Sequence, residues 1–261
     1  MFEFKLKFKT FNGLIALYIR ECKLWLGLKY VIASSLLIPL LYFFLLGTGM
    51  GEMIQTSFIG NIDYILFLTP GIIAMGTTSI AMSSGHILFN ERRFWGMYEE
   101  MLTLPVSRSA YLLSKILWVM TLSMGQLLFI LLVGIPLVEG GFYCANLFLV
   151  LLSILLGAIC FCSLIMPIAS LIKSAAAFYG ITGFISLPII LCSSAFYPLD
   201  TTPHWLRMIA YINPMTYMVD VMRAGFTGLW DQWILLKILI LCVFTVFFFA
   251  IGVISLKKVR F

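Results

Sequence analysis

The sequence predicts an all-α integral membrane protein, and three observations carry that expectation. Hydrophobic residues make up 62% of the 261 residues and charged residues 11%, against about 25% charged in an ordinary soluble domain. Six apolar runs each reach about 20 residues, the length at which a helix crosses a hydrocarbon core about 30 Å thick. None of the six alternates with period two, as the strands of a barrel do. The spans are expected near Val31–Gly49, Ile62–Ser83, Leu112–Val138, Leu147–Ile172, Ala176–Tyr197 and Trp233–Leu256. Without a repeat, low-complexity tract or linker, they form one domain: an interfacial segment at 1–29, a six-span core at 30–256 and a short tail at 257–261.

At the N-terminus Phe2, Phe4, Leu6 and Phe8 alternate with Glu3, Lys5, Lys7 and Lys9, a period-two pattern too short to build a sheet by itself. From Asn12 to Leu28 the period changes. Gly13, Ala16, Arg20, Lys23 and Gly27 form a narrow polar stripe on a helix otherwise built of Leu14, Leu17, Tyr18, Trp25 and Leu28. This reads as an amphipathic helix in the membrane interface, with Trp25 and Tyr30 as belt residues. Arg20, Glu21 and Lys23 make it costly to draw this helix into the first span. That span is itself read as permanent, since it starts about 30 residues in and continues at full membrane length, unlike a cleaved signal.

Lys and Arg resist translocation, so their distribution sets orientation. With the N-terminus inside, 14 of the 17 Lys and Arg fall on cytoplasmic segments, and only Arg207, Arg223 and Lys237 are left for the exterior. Both termini are therefore expected in the cytoplasm. The net charge of +6 is accounted for by anionic lipid headgroups, with no need for nucleic acid.

The second and third spans are separated by a charged island, Asn90–Arg108. On a helix, Phe94, Tyr98, Met101 and Leu102 share one side and Arg92, Arg93, Glu99 and Glu100 the other, until Pro105 ends it. Such a helix rests on a bilayer and faces a soluble partner. Further along, 199–232 is too short and too apolar for a soluble domain. Thr202 before Pro203, and Asn213 before Pro214, read as the starts of two brief helices that lie in or dip into the outer leaflet. Asp220 and Arg223, three apart, can pair on one face of the second.

The chemistry is sparse. No G-x-x-x-x-G-K-[ST] loop is present, so nucleotide-driven work must come from another polypeptide. His86 and His204 fall on opposite sides of the membrane, and the six cysteines are scattered as small apolar residues; no metal site is expected. Asp63, Lys115 and Lys237 sit near span ends, where snorkelling lowers their cost. This scarcity of buried charge argues against an ion-coupled carrier, and no convergent nucleophile, base or ligand set suggests an intramembrane enzyme. Small polar clusters, including Thr77, Thr78, Thr182 and Ser186, fit close helix packing or a bend. They also allow the second and fifth spans to line a mildly polar pathway.

On these residues the chain resembles the ABC-2 type transporter permeases over nearly its full length. In that family the segment after the second span commonly reads E…G-x-x-E-x-L-x-x-T-P-V-S-R. Here it is carried by Glu91, Gly96, Glu99, Pro105, Val106, Ser107 and Arg108, with Leu104 in place of the usual Thr and Met101 in place of Leu. The family's F-P-L-D-x-x-P-x-W-L…N-P-x-T-Y-x-V-D-x-x-R pattern is met by Tyr197, Pro198, Leu199, Asp200, Pro203, Trp205 and Leu206, then Asn213, Pro214, Thr216, Tyr217, Asp220 and Arg223.

The resemblance implies a dimer of six-span subunits, or a pair with a second permease, above two separate nucleotide-binding ATPase subunits that carry ATP and Mg. The N-terminal helix and the island would form the coupling surface, through Arg20, Lys23, Glu91, Arg92, Gly96, Glu99, Glu100, Pro105 and Arg108. The segment from Pro198 to Arg223 would close the outer end, and the second span would shift against its dimer mate. The implied activity is export of an amphipathic or lipid-linked compound across the inner membrane. The outer pattern leans toward the drug and nodulation branch over the capsule and teichoic acid branch; an ion-driven carrier is the reading from another class.

Overall fold

The computed structural model describes residues 2–51, 63–97, 108–134 and 144–258. Among these there is no strand. Nine α-helices are described: α1 (Phe2–Gly27), α2 (Lys29–Gly51), α3 (Tyr64–Arg93), α4 (Arg108–Gly134), α5 (Leu147–Leu171), α6 (Ala175–Leu191), α7 (His204–Ile212), α8 (Pro214–Thr227) and α9 (Ile234–Lys258). Five of them, α2, α3, α4, α5 and α9, are long and apolar enough to cross a membrane. The sixth expected span appears as α6, apolar but only 17 residues long, or about 25 Å at 1.5 Å per residue.

Helix α1 begins at Phe2, ten residues before the amphipathic stretch expected from Asn12. No Pro or Gly interrupts residues 2–11, so the early alternation is absorbed into a helix that the following turns propagate. A single residue, Leu28, separates α1 from α2, its N–H shared between the carbonyls of Leu24 (3.2 Å) and Trp25 (2.8 Å). Trp25 is not a belt residue. It is fully buried, its ring 6.2 Å from that of Trp118 on α4, while Tyr18 bonds Thr121 at 2.8 Å. Tyr30 does stand exposed.

Helix α3 is the axis of the fold, flanked by α2, α4, α5 and α8. Asp63 caps it, accepting from the Ile65 N–H at 3.0 Å. It runs 30 residues, ending ten residues beyond the expected Ser83. Asn90–Arg93 therefore belong to the last turn of this span and not to a separate surface helix. The chain then turns at Phe94–Gly96, where Gly96 takes φ 65°, a conformation only glycine adopts without strain. The remainder of the island, Tyr98–Ser107, lies outside the described residues.

At the other end of α3, the turn Cys192–Tyr197 after α6 lies directly on Gly71: a methyl there would come within 2.1 Å of the Ala195 carbonyl oxygen. This close approach lets the turn seat against the central helix. Helix α5 packs between α3 and α9 and also meets α8. Helix α7 starts at His204 with Pro203 at its N-cap and no side-chain cap, a correction to the expected start at Thr202. Helix α8 starts as expected, with Pro214 in its first turn and Asn213 capping the Met215 N–H at 3.0 Å.

Candidate functional site

Two charged clusters lie at opposite ends of α3. From Phe67 to Glu91 the helix rises about 36 Å at 1.5 Å per residue, comparable to a hydrocarbon core.

At the end nearest α1, four charged side chains close into a buried ring. Arg20 donates to Glu91 at 2.7 Å and to Glu21 at 3.0 Å. Lys115 on α4 lies 3.1 Å from both Glu21 oxygens and 3.2 Å from Glu91. The Tyr111 hydroxyl also donates to Glu91. Glu21, Glu91 and Lys115 are at most 1% exposed, whereas Arg20 retains 22%. The ring holds two cations and two carboxylates, so its charge cancels. Its members come from α1, α3 and α4, and each carboxylate contacts two cations, the condition under which buried charge is tolerated. Burial pulls the Arg20 guanidinium down, but the carboxylates of Glu91 and Glu21 outweigh this and hold it above its ordinary value.

This geometry revises the sequence reading. Lys115 does not snorkel, since its ammonium is fully enclosed. Glu91 faces inward, away from the surface on which a partner would press. Glu21 was not singled out, although an acid off the polar stripe of α1, on its apolar face, is the signal of a buried cation opposite. Lys23 is exposed and borders, with Arg20, Ile19, Leu24 and Met97, a groove of about 460 Å³. Arg92 is partly buried in the last turn of α3 and Gly96 forms the turn after it. Glu99, Glu100 and Pro105 lie outside the described residues; Arg108 opens α4, its side chain outside what is described.

Beside the ring, α6 is clamped onto α3. Phe178 stacks on Phe89 at 4.3 Å and 6°, His86 bonds Thr182 at 3.2 Å, and Tyr179 donates to Asn90 at 3.0 Å. Of the pathway candidates, Thr182 and Ser186 sit on α6, whose Ile181, Phe184 and Leu187 are exposed. Thr77 and Thr78 are enclosed and donate to their own helix at Ile73 (3.0 Å) and Ala74 (2.9 Å). In this conformation they face no open surface.

At the opposite end, the expected gate residues form a connected structure. Asn213 donates to the carbonyls of Ile189 (2.7 Å) and Cys192 (3.0 Å), joining α8 to the end of α6. The Arg223 guanidinium lies 3.8 Å over the Phe67 ring, donates to Ser194 O at 2.7 Å, and reaches Asp220 at 3.4 Å. Asp220 also accepts from Ser194 Oγ at 2.8 Å. Lys237, expected to snorkel, instead binds Asp220 at 3.0 Å and Asp231 at 3.2 Å. Tyr217 donates to Tyr211 O at 2.6 Å. Pro198 precedes the 3-10 turn Leu199–Thr201, which holds Asp200. Arg207 secures that turn through Leu199 O at 2.9 Å and Asp200 O at 2.6 Å. Pro203 and Trp205 are exposed. Among the described residues no group of His, Cys, Asp or Glu is arranged to hold a metal ion.

Comparison with known proteins identifies the family. Residues 12–227 match the family model described as ABC-2 type transporter. The chain is 28% identical over 222 residues to a putative transport permease ycf38 of Cyanophora paradoxa, covering 79% of this chain and 72% of that protein. It is 24% identical to nodulation protein J of Neorhizobium galegae, over 94% of this chain and 92% of the relative. It is also 26% identical to the inner membrane transport permease YadH of Escherichia coli strain K12, over 81% of each. Other ycf38-named relatives are longer, the chain spanning 65% of the one from Porphyra purpurea. With a multi-pass helical fold and a family match across most of its length, the chain belongs to the ABC-2 type transporter permeases, the membrane subunits of ABC transporters.

Proposed function

We propose that this permease exports an amphipathic or lipid-linked compound, driven by ATP hydrolysis on separate nucleotide-binding subunits that dock at its basic end. The observation that carries this reading is the buried ring of Arg20, Glu21, Glu91 and Lys115. It ties α1 to the ends of α3 and α4 at the point where the charged island leaves α3. A push on Lys23 or on the island is thereby passed to α3 itself. The bias of Lys and Arg supports placing this end in the cytoplasm, with both termini there and the chain in the inner membrane. Likeness to nodulation protein J supports the drug and nodulation branch over the capsule and teichoic acid branch.

Between its clamp at Phe178 and its tie at Asn213, α6 presents a bare apolar face with Thr182 and Ser186 beside it. A second copy, or a second permease, faces it across the pathway. ATP acts by favouring one state of the pair over the other, and it shifts the population only by its difference in affinity. Ion-coupled carriers usually rely on free buried carboxylates or discontinuous helices at mid-depth, whereas Glu21 and Glu91 each contact two cations.

The test is coupling. Reconstituted with its ATPase subunits, the Glu99→Lys permease is expected to fold and assemble but to lose most of its stimulated ATP hydrolysis. Retained stimulation counts against the island as the coupling surface. Uphill transport by the purified permease alone on a proton gradient overturns the ATP-driven reading.

A further inference from the structure

A half-open cavity of about 620 Å³ lies at the end of the molecule away from α1, between the first turn of α3, the 3-10 turn, and the facing ends of α8 and α9. Its size is that of a site for a small organic ligand. Its charges are unequal. Three carboxylates, Asp200, Asp220 and Asp231, and two cations, Arg223 and Lys237, line it. Both cations are engaged from within. Arg223 is covered by the Phe67 ring and held by Ser194 and Asp220, and Lys237 is shared between Asp220 and Asp231. Asp220 is spent on three partners: Ser194, Arg223 and Lys237.

The unspent charge belongs to Asp200, exposed on the rim, whose carboxylate has no ion-pair or hydrogen-bond partner among the described residues. Asp231, 47% exposed, lines the same cavity, bound to Lys237 at 3.2 Å and accepting from the Trp233 N–H at 3.3 Å, with its outer side open to a further donor. The walls beside them are apolar and aromatic: Leu199, Tyr211, Leu229 and Trp233. Anionic ligands find no free cation here, and a purely apolar ligand leaves the carboxylates unmatched. An ammonium group meets both demands, through charge at Asp200 and Asp231 and through the faces of Tyr211 and Trp233.

We propose that this cavity binds a primary ammonium carried on an apolar body, its charge at Asp200 and Asp231 and its tail against Leu199, Leu229 and Trp233. The inference does not depend on the export reading, because it concerns binding to the resting permease. Such an ammonium comes either from an aminophospholipid headgroup or from a free amphipathic amine.

The experiment uses the full-length permease in phosphatidylcholine nanodiscs, without ATPase or nucleotide, and reads tryptophan fluorescence as dodecylamine, dodecanol or dodecyl sulfate is added. Binding is read from the total tryptophan emission, with all six tryptophans kept in every variant compared. Saturable binding of dodecylamine, weaker by about tenfold in Asp200→Asn and not matched by dodecanol or dodecyl sulfate, is the expected result. Asp200 is exposed, so this variant leaves the fold intact; Asp231→Asn, read alongside thermal unfolding, provides a second arm. Displacement of dodecylamine by phosphatidylethanolamine built into the disc assigns the site to a lipid headgroup, and its absence assigns it to a free amphiphile. Equal binding of dodecanol, or unchanged dodecylamine affinity in Asp200→Asn, overturns the proposal.

Discussion

Glu91 shows how much one side chain carries here. Fully buried, it contacts Arg20 at 2.7 Å and Lys115 at 3.2 Å and accepts from the Tyr111 hydroxyl. Glu91→Gln leaves the ring one positive charge in excess, and breaking a buried pair by removing one partner costs about 3–5 kcal/mol. The variant is expected to unfold at a markedly lower temperature in detergent. Lys115→Met is expected to be as damaging, because two carboxylates then share Arg20 alone. Combining it with Glu21→Gln restores the balance, so the double variant should be less destabilised than the sum of the singles, by about 1 kcal/mol or more. Additive losses would show that the ring is not one electrostatic unit. Gly71→Ala makes a separate test. Its methyl has only the Ala195 backbone to displace, and overpacking of this kind costs about 1–3 kcal/mol, visible as a lower unfolding midpoint. Arg20 and Glu91 stand out in the sequence, one on the polar stripe and one in the island. Their partners do not, since Lys115 and Glu21 are 94 positions apart and only the folded chain brings them together.

Among the elements, α6 and α8 depend on a shared joint. Asn213 caps α8 with its oxygen and binds the end of α6 with its nitrogen. Asn213→Ala loses both roles and is expected to cost about 2 kcal/mol, from the cap and the carbonyls left without a donor. Asn213→Asp keeps the acceptor alone and should fall between the two in thermal unfolding. Equal stability of all three would separate the joint from the energetics of the fold. The start of α8 was legible because Asn-Pro fixes both the cap and the first turn. The start of α7 was misplaced by one residue because Pro203 occupies the cap position where Thr202 was expected. The end of α3 was placed too early because hydropathy falls after Ser83, yet the helix continues by burying Glu91 against counter-charges.

On the scale of the whole molecule, the apolar composition made the class and five of the spanning helices readable, while α6 emerged shorter than its apolar run. Hydropathy marks what enters a bilayer, but it does not say which helix becomes the axis; α3 holds that place through Gly71 and its buried side chains. The orientation proposed from charge has a direct check in Cys144, exposed near the start of α5 with its thiol toward Gly225 O at 3.8 Å. In a variant retaining only that cysteine, a membrane-impermeant maleimide added outside intact cells is expected to react; in one retaining only Cys22, on α1, it is not. The reverse pattern would invert the topology. Burial pushes the Cys144 thiol above its ordinary range, so less thiolate is present near neutrality and labelling should quicken steadily as pH rises from about 7 to 9.

The single-residue elbow at Leu28 has a mechanical consequence. Two rods meeting at one vertebra leave no slack cable between them, so rolling the one before it must swivel the one after it at once. Lengthening that elbow by a few glycines should let the motor idle: fuel would be consumed while cargo stays behind.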